Sequence, residues 1–245
     1  MKKILIVLSL LVSTLYGQTA KEIIQKADNR VRGESSYIEM TIEIQRSKWN
    51  KTMSMKSWSK GSTRALSLVT SPAKEKGTVF LMRDKEVWNY VPSIDRAIKM
   101  PPSMMLQNWM GTDLTNDDLI KQSSMVVDYS QKILGEENMG GLACWKIELT
   151  PKEDASVVWG KIIIWIDKTD FMQMKTEFYD EDEFLINSMI ASDVKSFDGK
   201  KLPSKLTIVP EDKDGNVTII SYQVMKFNLA IDDSKFTTQS MKRVK

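Results

Sequence analysis

Histidine is absent from all 245 residues, and cysteine occurs once, at Cys144. Without an imidazole there is no His-based zinc site, no Ser–His–Asp or Cys–His nucleophile and no histidine general base. One cysteine excludes an internal disulfide, even in a compartment that would permit one. Within "LACWKIEL" it reads as a buried strand thiol. An excess of either charge is also missing: 35 basic residues face 32 acidic ones, a net of +3. Such a balance leaves no electrostatic footprint for nucleic acid. Nor is there a run of the ~18 apolar residues that a transmembrane helix needs.

The chain opens with a short apolar run instead. Lys2 and Lys3 precede "ILIVLSLLV", and small and polar residues return at "STLYGQTA". This is the pattern of a secretory signal peptide. Cleavage after Gly17 gives residues 1–17 as the signal and 18–245 as one periplasmic domain, with no lipobox cysteine for a lipid anchor. Removing Lys2 and Lys3 from the 35 basic residues leaves a mature net charge of +1.

Periodicity predicts one helix and many strands. In "TAKEIIQKADNRVRG", Thr19 and Glu22 have capping-box spacing, Ile23, Ile24, Ala27 and Val31 form an apolar stripe, and Gly33 ends the helix. "YIEMTIEIQR" alternates, with Ile38, Met40, Ile42 and Ile44 on one face. Strand patterns follow near 52–60, 63–70, 78–83, 86–91, 95–100, 128–136, 142–150, 157–167, 172–179, 184–195, 203–209 and 217–228. Turn residues such as "SKGS", "NMGG", "FDGKK" and "DKDGN" separate them, as in an antiparallel meander. Further helical pattern is confined to 103–110 and 115–123. "VVWGKIIIWI" is apolar on both faces, with Val157, Trp159, Ile163 and Trp165 on one and Val158, Ile162, Ile164 and Ile166 on the other. Either a second layer covers it or one face lines a cavity.

Little here suggests chemistry. "DEDE" at 180–183 lacks the spacing of a calcium loop and reads as a solvated hairpin tip. Asp113, Asp117 and Asp118 would make a carboxylate cluster, but Thr115 is placed to cap a helix whose N-terminus favours Asp117 and Asp118. No metal, no cofactor and no catalytic site is expected. The unusual stretch is "KMPPSMMLQNWMGTDLTNDDL", residues 99–119. Met104, Met105, Leu106, Trp109 and Met110 sit between Pro101-Pro102 and Gly111, where no long element buries them. They form either a movable lid over something apolar, a role that suits flexible methionine, or a plain core plug.

The block "GTVFLMRDKEVWNYVPSIDRAIKM", the following "GTDLTNDDL" and the closing "FNLAIDDSKFT" resemble the periplasmic outer-membrane lipoprotein-sorting family, the LolA/LolB-like carriers. The likeness is to members with Y-x-P-x-x-x-R followed by M-G-T/S-D-x-x-x-x-D-L, here Tyr90, Pro92, Arg96, Met110, Gly111, Thr112, Asp113, Asp118 and Leu119. The resemblance implies a mainly β fold, a single curved antiparallel sheet of about eleven strands forming an open half-barrel, with helices on its concave face. It implies a monomeric, non-enzymatic carrier or chaperone of acylated lipoprotein or lipid cargo. The cargo would pass from an inner-membrane transporter towards an outer-membrane acceptor. A ligand-sensing regulatory module, or an accessory lipid-binding protein of an exporter, is the alternative. The implied acyl cavity is formed by Met104, Met105, Leu106, Trp109 and Met110 with Trp88, Tyr90, Met40, Ile42 and Trp159. Where the best-studied carriers hold their lid with Arg-Pro after the second strand, this chain has Lys60-Gly61, with Arg64 three residues on.

Overall fold

The computed structural model describes residues 17–84, 86–118, 125–155 and 157–244. Apart from Gly17, the expected signal peptide lies outside them. Among the described residues no helix is long and apolar enough to cross a membrane.

One helix, α1 (Ala20–Arg32), precedes the sheet. The capping box forms as the sequence predicts: Glu22 N–H donates to Thr19 Oγ1 at 3.3 Å, and Thr19 N–H donates to Glu22 Oε2 at 2.8 Å. Ile23, Ile24 and Ala27 are buried. Gly33 ends the helix with φ +61°, a conformation that costs glycine little.

The chain then enters the middle of the sheet, not its edge. β1 (Ser35–Gln45), β2 (Asn50–Lys60), β3 (Arg64–Ser71), β4 (Val79–Arg83), β5 (Glu86–Val91) and β6 (Arg96–Lys99) step outward to one edge. The chain then passes to the opposite edge; residues 100–118 and 125–128 are the described part of this crossing. From there β7 (Tyr129–Met139), β8 (Leu142–Pro151), β9 (Lys161–Asp167), β10 (Gln173–Tyr179), β11 (Leu185–Phe197), β12 (Lys200–Pro210) and β13 (Val217–Phe227) step back inward. β13 pairs antiparallel with β1, so two meanders meet in one 13-stranded sheet. β6 and β7 do not pair, and the sheet stays open.

The count of about eleven strands is therefore corrected to thirteen. Every alternating segment forms its own strand, including the four-residue β6. The helix expected at 103–110 does not form. One 3₁₀ turn, Pro102–Met104, follows Pro101, and the chain then folds back on itself. Trp109 N–H donates to Leu114 O at 2.8 Å and Asn116 N–H to Gln107 O at 2.9 Å. Met110 and Gly111, at φ +47° and +88°, make the reversal, the positive-φ pair that closes tight hairpins. The helix expected at 115–123 starts at residue 116, and its residues 119–123 lie outside the described ones.

The two-sided strand is also shorter than expected. β9 begins at Lys161, because Gly160 passes too close to the next turn for any side chain: a Cβ there would lie 2.4 Å from Asp180 O. Trp159 thus leaves the sheet and packs on Phe178, ring centroids 5.0 Å apart. Both explanations, a covering layer and a cavity, apply to one of its faces, which lies under α1. Ile162, Ile164 and Ile166 face the helix side. Trp165 on the other face is covered by the stems of Lys146 and Lys175, whose amines sit 5.0 and 4.7 Å from its ring. Cys144 packs beside it, buried, with its thiol pushed up to about 11 by burial. "DEDE" lies at the β10–β11 hairpin, where Asp180 Oδ1 accepts from the N–H groups of Asp182 and Phe184.

Candidate functional site

On the helix-bearing face the sheet carries two covers. The crossing segment lies over the β1–β5 half: Met105, Trp109 and Leu114 are buried against Met40, Ile42, Met53, Met55 and Phe80, with Met104 and Met110 packed at the margin. α1 lies over the β7–β10 half, where Ile23, Ile24 and Ala27 meet Ile147, Leu149, Ile162 and Ile164. Between the covers the face is incompletely filled, leaving three cavities. The largest, about 230 Å³, lies between Ile24, Ala27 and Val31 of α1, Leu114 of the crossing segment and the strand residues Ile164, Met189 and Leu206. A second of about 100 Å³ shares Met189 and Leu206, and a third of about 110 Å³ lies beneath Trp109. All three have Val31 and Tyr222 in their walls. They therefore abut under the last turn of α1.

The two covers are attached differently. The crossing segment is held by a buried ion pair. Arg46 Nη2 lies 3.0 Å from Asp113 Oδ2, with side-chain exposures of 11% and 3%. Thr218 Oγ1 donates to the same carboxylate oxygen at 2.6 Å and accepts from Asp113 N–H at 3.1 Å. Asn187 Nδ2 donates to Asp113 O at 2.8 Å, and Arg46 Nη2 donates to Gly111 O at 2.8 Å. These contacts bind the segment to β1, β11 and β13 at once. The C-terminal end of α1 is held nearer the surface, by Arg30 to Asp170 at 3.0 Å and to Lys201 O.

Asp118 belongs to a separate cluster at the largest cavity. Thr115 N–H and Oγ1–H both donate to its Oδ2, and Trp159 Nε1–H donates to Oδ1 at 2.7 Å. Asp118 N–H in turn donates to Thr115 Oγ1 at 3.1 Å, closing the cap foreseen for Thr115. Burial nevertheless raises the carboxyl above its ordinary range, outweighing those donors. The folded chain then binds this proton more tightly than the unfolded chain. The resulting stability is present below the ordinary carboxylate pKa and is lost as pH rises through the raised value. Asp118→Asn is expected to remove that dependence, seen as a flatter plot of unfolding free energy against pH than the wild type gives. Among the described residues, no three His, Cys, Asp or Glu side chains converge on a point that would hold a metal.

The ten residues expected at the cavity are distributed unevenly. Met40 and Trp109 wall the third cavity, and Trp159 walls the first. Ile42 is fully buried in the core beside them. Met104, Met105 and Met110 pack as core, whereas Leu106 is 62% exposed. Leu106→Asp should therefore change stability by no more than about 0.5 kcal/mol, while Met105→Asp, burying an unpaired charge, should cost several kcal/mol; thermal melts of the two variants check this. Trp88 and Tyr90 are not brought to this face. They lie on the opposite one with Leu66, Leu81 and the C-terminal Phe236, and Tyr90 donates to Asp95, which pairs with Lys242. Alternation decides it: Tyr90 pairs with Val79 and Trp88 with Leu81, both outward positions.

Lys60 and Arg64 latch something other than a lid. Both reach Asp233 Oδ1, at 2.7 and 2.6 Å, fastening the C-terminal segment to that opposite face. The residues that hold the crossing segment, Arg46, Thr218 and Asn187, were not singled out from the sequence, nor were Tyr222, Met189 and Leu206 of the cavity walls. Nothing in the local pattern marks them, because each acquires its role from a partner far along the chain.

A family model described only as that of an uncharacterized protein matches residues 61–243. None of the curated proteins compared with the chain matches it. Among solved structures, a DUF1329 family protein from Desulfovibrio piger superposes with a TM-score of 0.83 at 22% identity, covering 91% of this chain and 97% of that one. A structure described as an outer membrane lipoprotein-sorting protein domain, from Vibrio parahaemolyticus, gives 0.80 at 21% identity, covering 91% and 98%. A LolA superfamily protein from Nitrosomonas europaea gives 0.76 at 24% identity, covering 91% and 100%. At these identities the likeness is one of fold.

Proposed function

From the cavities and from the fold shared with a LolA superfamily protein, we propose that the chain is a periplasmic, non-enzymatic carrier that holds acyl chains of a lipoprotein or lipid in the seam between α1 and the crossing segment. The observation that carries this reading is the set of three abutting cavities, each walled largely by aliphatic, methionine and aromatic side chains and all meeting at Val31 and Tyr222. Separately they are smaller than the ~300–1,000 Å³ of ordinary small-molecule sites. A shift of α1 joins them without disturbing the sheet. α1 is the cover able to move, since its C-terminal end is held near the surface whereas the crossing segment is anchored by a buried ion pair. Each methylene placed there contributes ~0.8 kcal/mol, so one long chain suffices for firm retention without any covalent step.

The test is titration with a fluorescent fatty-acyl probe. Leu206 walls the first two cavities. Leu206→Trp should fill them and weaken probe binding at least about tenfold, the equivalent of two lost methylene contacts, with little change in melting temperature. Wild-type protein that ignores the probe would count against the carrier reading. So would an unaltered affinity in Leu206→Trp.

A second reading, a ligand-sensing module that reports to a partner, is favoured by one feature. An open groove of about 1000 Å³ on the opposite face is lined by Trp58, Lys56, Lys226, Lys235 and Arg243. A carrier exchanges cargo between protein and vesicle, whereas a sensor changes its partner binding when the cavities fill. Transfer of the fluorescent probe to acceptor vesicles separates the two.

A further inference from the structure

The third cavity differs from the other two. Its floor is hydroxyl-rich: Ser36, Ser57, Ser59 and Ser67 stand where the rest of this face carries Met, Ile or Val. Ser36 Oγ lies 2.7 Å from Ser59 Oγ, and Ser57 Oγ 2.9 Å from Ser67 Oγ. Each pair uses one hydroxyl proton and leaves the other available. The opposite wall is the ring of Trp109, 1% exposed. Tyr222 completes the wall at the junction with the two apolar cavities. Its phenol, pushed up to about 12 by burial, is a donor at neutral pH as any tyrosine hydroxyl is. Arg32 also reaches this cavity, but its guanidinium is already matched to Asp28 at 2.8 Å.

From this arrangement we infer that the cavity beneath Trp109 is a subsite for the uncharged carbonyl end of an acylated ligand, an ester or amide, whose chain lies in the two apolar cavities. The inference rests on the carrier reading above. It deepens that reading by naming what the site recognises besides hydrocarbon. The Tyr222 hydroxyl donates to carbonyl oxygen, and the serine pairs accept or donate beside the linkage. A free carboxylate is the poorer ligand, because the donors are neutral and the one cation already has a carboxylate partner.

The experiment compares two ligands that differ only at the carbonyl: a 1-monoacylglycerol and the 1-O-alkylglycerol of equal chain length. Each is titrated by displacement of a fluorescent acyl probe from wild type, Tyr222→Phe and Ser57→Ala. Wild type should bind the ester about tenfold more tightly than the ether, the effect of one hydrogen bond. Tyr222→Phe, which keeps the ring but removes the hydroxyl, should lose most of that preference. Ser57→Ala, which leaves Tyr222 in place, should reduce it and serves as the second variant should Tyr222→Phe fail to fold. Equal binding of ester and ether by wild type would overturn the subsite and leave the acyl carrier standing. A full ester preference in the folded variants would overturn the assignment to these residues. Binding of neither glycerolipid nor probe by wild type would remove the carrier reading, and the subsite with it.

Discussion

Arg46→Met is expected to cost about 3–5 kcal/mol of unfolding free energy, because it strands the Asp113 carboxylate in a buried position. Asp113 is 5% exposed as a residue, and its Oδ2 takes the Arg46 guanidinium and the Thr218 hydroxyl together. Removing the cation leaves one hydroxyl donor to compensate a full charge, and burial of an unmatched charge outweighs any gain from methionine packing. Asp113→Leu should cost a similar amount by stranding Arg46. The double variant Arg46→Met with Asp113→Leu should lose less than either single change, since a buried ion pair replaced by apolar groups is near neutral while a broken one is not. Urea unfolding of the three variants measures the coupling. Single-variant losses below about 1 kcal/mol would show that the crossing segment is held by its apolar contacts alone.

Phe236→Ala is the second large effect, and it acts on the other face of the sheet. Phe236 is 1% exposed, in a cluster with Leu66, Leu68, Val79, Leu81 and Met241. Truncating a buried phenylalanine costs about 3–5 kcal/mol through lost transfer energy and the cavity left behind. The other ties of this segment include buried Met241, hydrogen bonds from Ser35 and Lys60 to Leu229 O and Ile231 O, and exposed ion pairs of Asp233 with Lys60 and Arg64 and of Asp95 with Lys242, each of these pairs worth at most about 1 kcal/mol. Chemical unfolding should show the loss, and limited proteolysis should cut within residues 229–244 of the variant but not of the wild type. A variant as stable and as resistant as wild type would mean that this outer cluster contributes nothing to the fold.

What could be read in the sequence followed from local periodicity. The alternation of Ile38, Met40, Ile42 and Ile44, the Thr19–Glu22 cap and the turn residues are each decided within a few positions, and each appears in the structure. The pairing of β1 with β13 was not legible, because it joins residues about 180 positions apart and leaves no period in either strand. That pairing places the N-terminal strand in mid-sheet and obliges the chain to cross between the sheet's two edges after β6. It thereby explains the apolar content of "MMLQNWM" better than a helix does. A hairpin reversing at Met110 and Gly111 buries Met105 and Trp109 while leaving Leu106 outside. Trp88 and Tyr90 could not be assigned a face from "WNY", since the short β5 is half-covered on both sides. The Arg46–Asp113 latch was invisible for a related reason: an arginine just past an alternating strand looks like any solvated turn residue.

The central claim, that the seam between α1 and the crossing segment holds acyl chains, is tested most directly by mass spectrometry of an organic extract of the protein purified without detergent. The account predicts an acyl-chain lipid in stoichiometric amount from the wild type, and its depletion from Leu206→Trp purified in the same way. A wild-type extract free of acyl-chain lipid, from protein that also fails to take up added lipid from vesicles, would contradict it.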